Sequence, residues 1–212
     1  SFKQLDGGHY QIGIHIADVT HYVREGTLVD EEAYKRGTSI YLVDRVIPML
    51  PERLCNELCS LRPNEDKLCM SVIVEMDEQA KVIRHKICRT VIRSDYRLAY
   101  EQAQHMLDAP ITAGEKKSLS DALGVLNRLA RILRTKRFEH GAINFETSEV
   151  RFRLDEAGNP TDVFFHQSTD ANHLIEEFML LANRIVAAEI GKKKDTKNES
   201  VEAKPFVYRV HD

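Results

Sequence analysis

The chain has 212 residues, 42% of them hydrophobic, which is enough to bury a substantial core as one large domain or two small ones. Thirty basic against thirty-three acidic side chains give a net charge of -3, so an overall basic surface is excluded as the means of holding a polyanion. No run approaches 18 apolar residues and the N-terminal stretch lacks the order of a signal peptide, so no membrane partner is expected and the cytoplasm is the expected compartment.

In chain order, Tyr10 to Asp18 alternates Ile12, Ile14 and Ile16 against smaller or polar residues, the period of a strand with one buried face. Asp30 is placed to cap a short helix through Lys35 that Gly37 ends, because its carboxylate can accept from free backbone amides. Thr38 to Leu42 reads as a strand, and Pro48 and Pro51 frame a rigid turn before one or two helical turns at Glu52 to Leu58. Met70 to Glu75 and Lys81 to Ile92 flank Asp77-Glu78-Gln79-Ala80, the pattern of a β-hairpin. A helix over about Tyr100 to Leu107 is broken by Pro110.

From Glu115 to Phe138, Leu119, Leu123, Leu126, Leu129, Ile132 and Leu133 recur at spacings of three and four, predicting a long amphipathic helix with Gly141 beyond its end. Ile143 to Arg153 and Asp162 to His166 flank a second hairpin turn at Asp155 to Asn159. Asp170 is placed to cap a helix reaching Ile190, with Leu174, Phe178, Leu181 and Ile185 inward. Lys192 to Lys204 reads as a polar loop and Phe206 to Val210 as a final strand. No internal repeat or domain boundary interrupts this order, and the fold class expected is α+β: a mixed, largely antiparallel sheet packed with helices.

Few residues point to chemistry by type and spacing alone. Cys55, Cys59, Cys69 and Cys88 have no CxxC spacing, so free buried thiols are expected rather than zinc. The acidic groups Asp30-Glu31-Glu32, Glu65-Asp66, Glu75 with Asp77-Glu78, and Glu176-Glu177 read as caps, solvated turns or exposed helix faces. Asp18 reads as an acceptor for the loop that follows it, and His15 as a satisfied structural histidine. Two basic sets stand out. Arg84, Lys86, Arg89, Arg93 and Arg97 follow one strand and its exit, read as a solvated sheet face or a phosphate contact. Arg131, Arg134, Lys136 and Arg137 sit late in the long helix, where they complement the negative end of its dipole.

Several blocks taken together are more specific. IGIHIADV, YKRGTSIYLVDRVIPMLP, LCSLRPNE, the Tyr100 helix, GAINFE, HLIEEFMLLAN and YRVHD stand in one order along the whole chain. In that order they resemble the RNB catalytic domain of the ribonuclease R and ribonuclease II family, with GTSIYL and HLIEEFMLLAN closer to the ribonuclease R side. The resemblance implies a magnesium-dependent exoribonuclease that degrades single-stranded RNA processively from its 3′ end to 5′-mononucleotides. It also implies that residues 1–212 are a central, partial catalytic domain truncated at both ends, with the metal-holding aspartate cluster upstream of Ser1. On that reading this piece holds no metal ion and is inactive alone.

The resemblance further implies site residues. Tyr41 and Phe145 match the rings that sandwich the last bases of the RNA, and Tyr100 and Glu176 match positions beside the terminal nucleotides. Stacking suits such a site because every base has a π-face, at about 1 to 3 kcal/mol per base. A non-catalytic RNA-binding or regulatory protein on the same scaffold is the alternative. Sheet edges left open by missing segments would invite self-association.

Overall fold

Apolar residues at every second position build the central sheet. The computed structural model of the chain describes residues 1–143, 149–191, 194–195 and 200–201. Strands β1 (Phe2–Gln4), β2 (Tyr10–Ala17), β5 (Asp66–Met76) and β6 (Val82–Arg93) form an antiparallel sheet in the order β1-β2-β5-β6. Two short strands, β3 (Ile40–Tyr41) and β4 (Val46–Ile47), pair with each other, as do β7 (Glu149–Leu154) and β8 (Pro160–His166), and β9 (Lys194–Asp195) and β10 (Ser200–Val201). Helices α1 (Leu28–Arg36), α2 (Tyr100–Asp108), α3 (Lys117–Glu139) and α4 (Asp170–Gly191) complete an α+β fold of antiparallel sheets and helices, as the sequence pattern implies.

Register explains where the core sits. Ile12 faces Val74, Ile14 faces Val72 and Tyr10 faces Met76 across β2 and β5, so these side chains share one face of the sheet. That face meets Leu129 and Ala130 of α3 and Leu174, Phe178 and Ala182 of α4. Val74, Met76 and Leu129 are completely buried there. The helices cover only part of the face. Ile16, paired with Met70, stays 51% exposed, and Val91 of β6 is 62% exposed, so the expected buried stripe of three isoleucines ends after the second.

The opposite face is polar at its centre. His15 Nδ1 lies 2.7 Å from Ser71 Oγ, Ser71 Oγ lies 2.5 Å from Thr90 Oγ1, and His15 Nε2 lies 2.9 Å from Ser1 Oγ. Gly13 leaves room beneath this chain of contacts, since a Cβ there would overlap Ser1 Oγ and the His15 ring and force those side chains to shift. His15 is thus the satisfied structural histidine expected from its strand.

The helix ends show where local reading misplaced a cap. Thr27, not Asp30, caps α1: its hydroxyl accepts from the Asp30 N–H at 3.4 Å, and the Asp30 carboxylate turns back to accept from the Gly26 N–H at 3.0 Å. Gly37 ends the helix at φ 69°, in the left-handed region that favours glycine. At α4, Asp170 is the first helical residue rather than the cap. Thr169 precedes it, and the Thr169 N–H and hydroxyl both donate to Asn172 Oδ1, at 3.0 and 2.7 Å, which supplies the backward half of a capping box.

The hairpin between β5 and β6 is organised by Asp77, whose Oδ1 accepts from the N–H of Gln79 at 3.0 Å and of Lys81 at 2.9 Å. The strand expected at Thr38 to Leu42 shrinks to two residues, and the turns expected at Glu52 to Leu58 become a single π-helical turn, Arg53–Leu58. Lys67 Nζ donates to the Glu57 carbonyl at 2.6 Å, tying that turn to β5. The four cysteines are free as expected, but only Cys69 is fully buried and Cys55 is exposed. Phe145 and the strand expected at Phe206 to Val210 lie outside the described residues. Among those that are described, no helix is long and apolar enough to cross a membrane.

Candidate nucleic-acid interface

Three of the four expected RNA contacts fall on described surface. Tyr41 stands on β3 with 78% of its surface exposed, beside exposed Ile40, Leu42, Val43, Val46 and Ile47. A tyrosine held on a strand and left open to solvent presents a flat π-face, which a packed core tyrosine does not. Tyr100, 45% exposed, opens α2 and lines a cleft of about 280 Å³ against the start of α4, shared with Gln104, His105, Thr169 and Asn172. Gln104 fixes that cleft: its Oε1 accepts from the Ala171 N–H at 3.1 Å and its Nε2 donates to Asp108 at 2.8 Å.

Glu176 lies on α4 one turn beyond Asn172 and is not among the residues that line the Tyr100 cleft. Its carboxylate is not a free surface charge. Arg137 Nη2 donates to Glu176 Oε1 at 3.0 Å and to Glu177 Oε1 at 2.5 Å, while Arg137 Nε lies 3.1 and 3.3 Å from the two Glu177 oxygens. Glu177 is only 3% exposed, against the expectation of an exposed acidic face. Burial of a carboxylate is tolerated here because the guanidinium fork meets both its oxygens. The Glu177 bonds foremost raise the already high Arg137 pKa further, keeping the arginine charged.

The basic residues of α3 therefore do more than complement a helix dipole. Arg131 pairs with Asp170, Arg134 stands 3.9 Å from Glu176 and 4.0 Å from Glu177, and Lys136 donates to the Gln79 carbonyl at 2.6 Å. Sequence reasoning missed the Arg137 and Glu177 pair. The signal was present in Arg131, Arg134 and Arg137 at spacings of three, one face of a helix aimed at the acids of the next. On β6, Arg84 pairs with Glu75 at 2.5 Å, Arg89 with Asp18 at 3.4 Å and Arg93 with Asp66 at 4.0 Å.

These pairings bear on metal binding. Asp18 is 5% exposed and accepts from the Thr20 hydroxyl at 2.5 Å; that bond foremost, with Arg89 beside it, holds its carboxyl below the usual range against the opposing effect of burial. Glu75 is held low in the same way, first by His9 and then by Arg84. A magnesium site of the implied kind gathers several carboxylates at one point. Among the described residues no three side chains of metal-ligating type converge, so they do not form the cluster that the resemblance implies for magnesium.

The chain is 41% identical to ribonuclease R 2 of Lactococcus lactis over 99% of its length and 44% identical to ribonuclease R of Thermotoga maritima over all of it, matching 31% and 29% of those proteins. The chain thus spans less than a third of the curated relatives it matches. Among solved structures it is similar to Mycoplasma genitalium RNase R in complex with ribose-methylated single-stranded RNA, with TM-score 0.81 and 29% identity, over 89% of this chain and 29% of that one. Its fold is also like that of yeast Ssd1, described as a pseudonuclease, with TM-score 0.68 and 22% identity over 89% of this chain and 23% of that one. The RNB domain family model matches residues 1–212. With the family model matching residues 1–212 and a solved ribonuclease R similar over 89% of them, this chain belongs to the RNB domain family.

Proposed function

We propose that this chain is part of the catalytic domain of a cytoplasmic, processive 3′ to 5′ exoribonuclease of the ribonuclease R type, and that it supplies scaffold and contacts to the 3′ end of single-stranded RNA. The observation that carries the reading is the 78% exposed Tyr41 ring on β3, inside a chain that matches the family throughout. Tyr41, with Phe145, stacks on the terminal bases; Tyr100 meets phosphate or ribose from its cleft, and Glu176 accepts a ribose 2′-hydroxyl, which DNA lacks. Magnesium, if bound by carboxylates elsewhere, would polarise the phosphate and supply a hydroxide. We place its carboxylate ligands outside the described residues, since Asp18, Glu75, Asp66 and Glu177 are each engaged by a basic partner.

The chain alone is expected to bind 3′-tailed RNA and, with magnesium, to leave its length unchanged. Gel analysis of 3′-tailed RNA after incubation checks this, and progressive shortening would overturn it. A non-catalytic RNA-binding protein is the second reading, favoured by the same engaged carboxylates. Shortening of RNA by a longer form carrying an upstream aspartate cluster, with none by the chain, separates the two. Self-association through the β6 edge is a further part of the proposal, opposed by the charges of Arg84, Lys86 and Arg93 along it. Light scattering across protein concentration tests it.

A further inference from the structure

Arg137 makes two different kinds of contact with neighbouring residues of α4. Through Nε and Nη2 it grips Glu177, which is 3% exposed and out of reach of hydrating water. The remaining reach of Nη2 goes to Oε1 of Glu176, whose side chain is 46% exposed. The guanidinium cannot swing freely, because the fork is planar and the Phe138 ring lies 5.0 Å from it, with the Arg134 guanidinium 4.9 Å from the same ring. Oε2 of Glu176 lies 3.9 Å from Arg134 Nη1, an ion pair beyond hydrogen-bond length that leaves its acceptor capacity unused by that group.

A bare carboxylate beside an RNA strand has two defects. It repels phosphate, and on a long flexible stem it samples many directions. Arg137 corrects both, neutralising the charge locally and pinning one oxygen while the other stays free to accept. We propose that Arg137, seated on buried Glu177, is the positioning residue for Glu176 and thereby sets the preference of this site for a ribose over a deoxyribose. The proposal rests on the reading that Glu176 accepts a ribose 2′-hydroxyl.

The test compares affinities of the protein for a single-stranded oligoribonucleotide and its deoxy counterpart, in Glu176→Gln, Arg137→Met, Arg137→Lys and the paired variants. The RNA to DNA affinity ratio should fall about tenfold in Glu176→Gln, the size of one charge-assisted hydrogen bond, and about equally in Arg137→Met. Combining the two should lower it no further. Arg137→Lys keeps the charge but loses the fork, and should lose most of the ratio as well. A purely structural arginine would lower thermal stability and leave the ratio intact, or lower it additively with Glu176→Gln; either result overturns the positioning role. If Arg137→Met does not fold, the Arg137→Lys pair decides alone. A ratio insensitive to Glu176→Gln, or equal wild-type affinities, overturns the Glu176 reading and this proposal with it, whereas a ratio sensitive to Glu176→Gln but not to either Arg137 variant overturns this proposal only.

Discussion

The seam where α3 and α4 cross the sheet and the hairpin of β3 and β4 are built by opposite rules. In the seam, the central apolar side chains are buried and even a carboxylate, Glu177, is enclosed with its arginine. On the hairpin Ile40, Tyr41, Leu42, Val43, Val46 and Ile47 are all at least 43% exposed. Monomeric proteins rarely leave such residues contiguous and uncovered without a use for them. The contrast assigns stability and charge orientation to the seam, and adaptable contact to the hairpin.

Substitutions in the two regions should separate these roles. Phe178→Ala, in the seam, should cost about 3–5 kcal/mol of folding stability, measured by denaturant unfolding, while a folded variant retains RNA binding. Tyr41→Ala should do the reverse, lowering affinity for single-stranded RNA by about 1–3 kcal/mol in titration and moving stability by no more than about 0.5 kcal/mol. If Tyr41→Ala destabilises the fold and spares binding, the contrast fails.

A pH series sharpens the account of the polar sheet face. Burial, and then the nearby terminal ammonium, lower the His15 pKa from the usual 6.5 to about 4. Between those values the unfolded chain takes up a proton that the folded chain refuses, so stability is full above about pH 6.5 and falls as the pH drops toward 4. Thermal melts of wild type against His15→Gln should show this loss in the wild type alone. Below that window the lowered Asp18 and Glu75 carboxyls add a further loss as they protonate in both proteins. The smallest effect expected is at α1. Thr27→Ala should cost about 0.5–1 kcal/mol, at the low end for a cap because its bond is 3.4 Å long, and Asp30→Ala less if Thr27 is the cap. The order of the two in paired melts decides which residue caps the helix.

Much of this was legible locally. The hairpin around Asp77, the long helix α3 and the start of α2 at Tyr100 follow from periodicity and turn chemistry, because such patterns are set by neighbours along the chain. The roles proposed for Tyr41, Tyr100 and Glu176 rest on motif matches, which no local period supplies. Caps were harder, since Thr27 and Asp30 are both able acceptors and only the backbone geometry chooses between them.

The sequence by itself determined the long strands and helices, the α+β class and membership of the RNB family, through local periods and the succession of motif blocks, but not β1, β4 or the β9–β10 pair inside the expected polar loop. The tertiary structure alone decided burial and pairing. Ile12 and Ile16 have the same place in the strand alternation, yet one lies beneath the helices and the other beyond them. Glu176 and Glu177 are chemically identical neighbours that share Arg137, but rotation by one residue about the axis of α4 leaves one half-exposed and buries the other. Such differences depend on where a distant element comes to rest, and no period within one strand or helix records that.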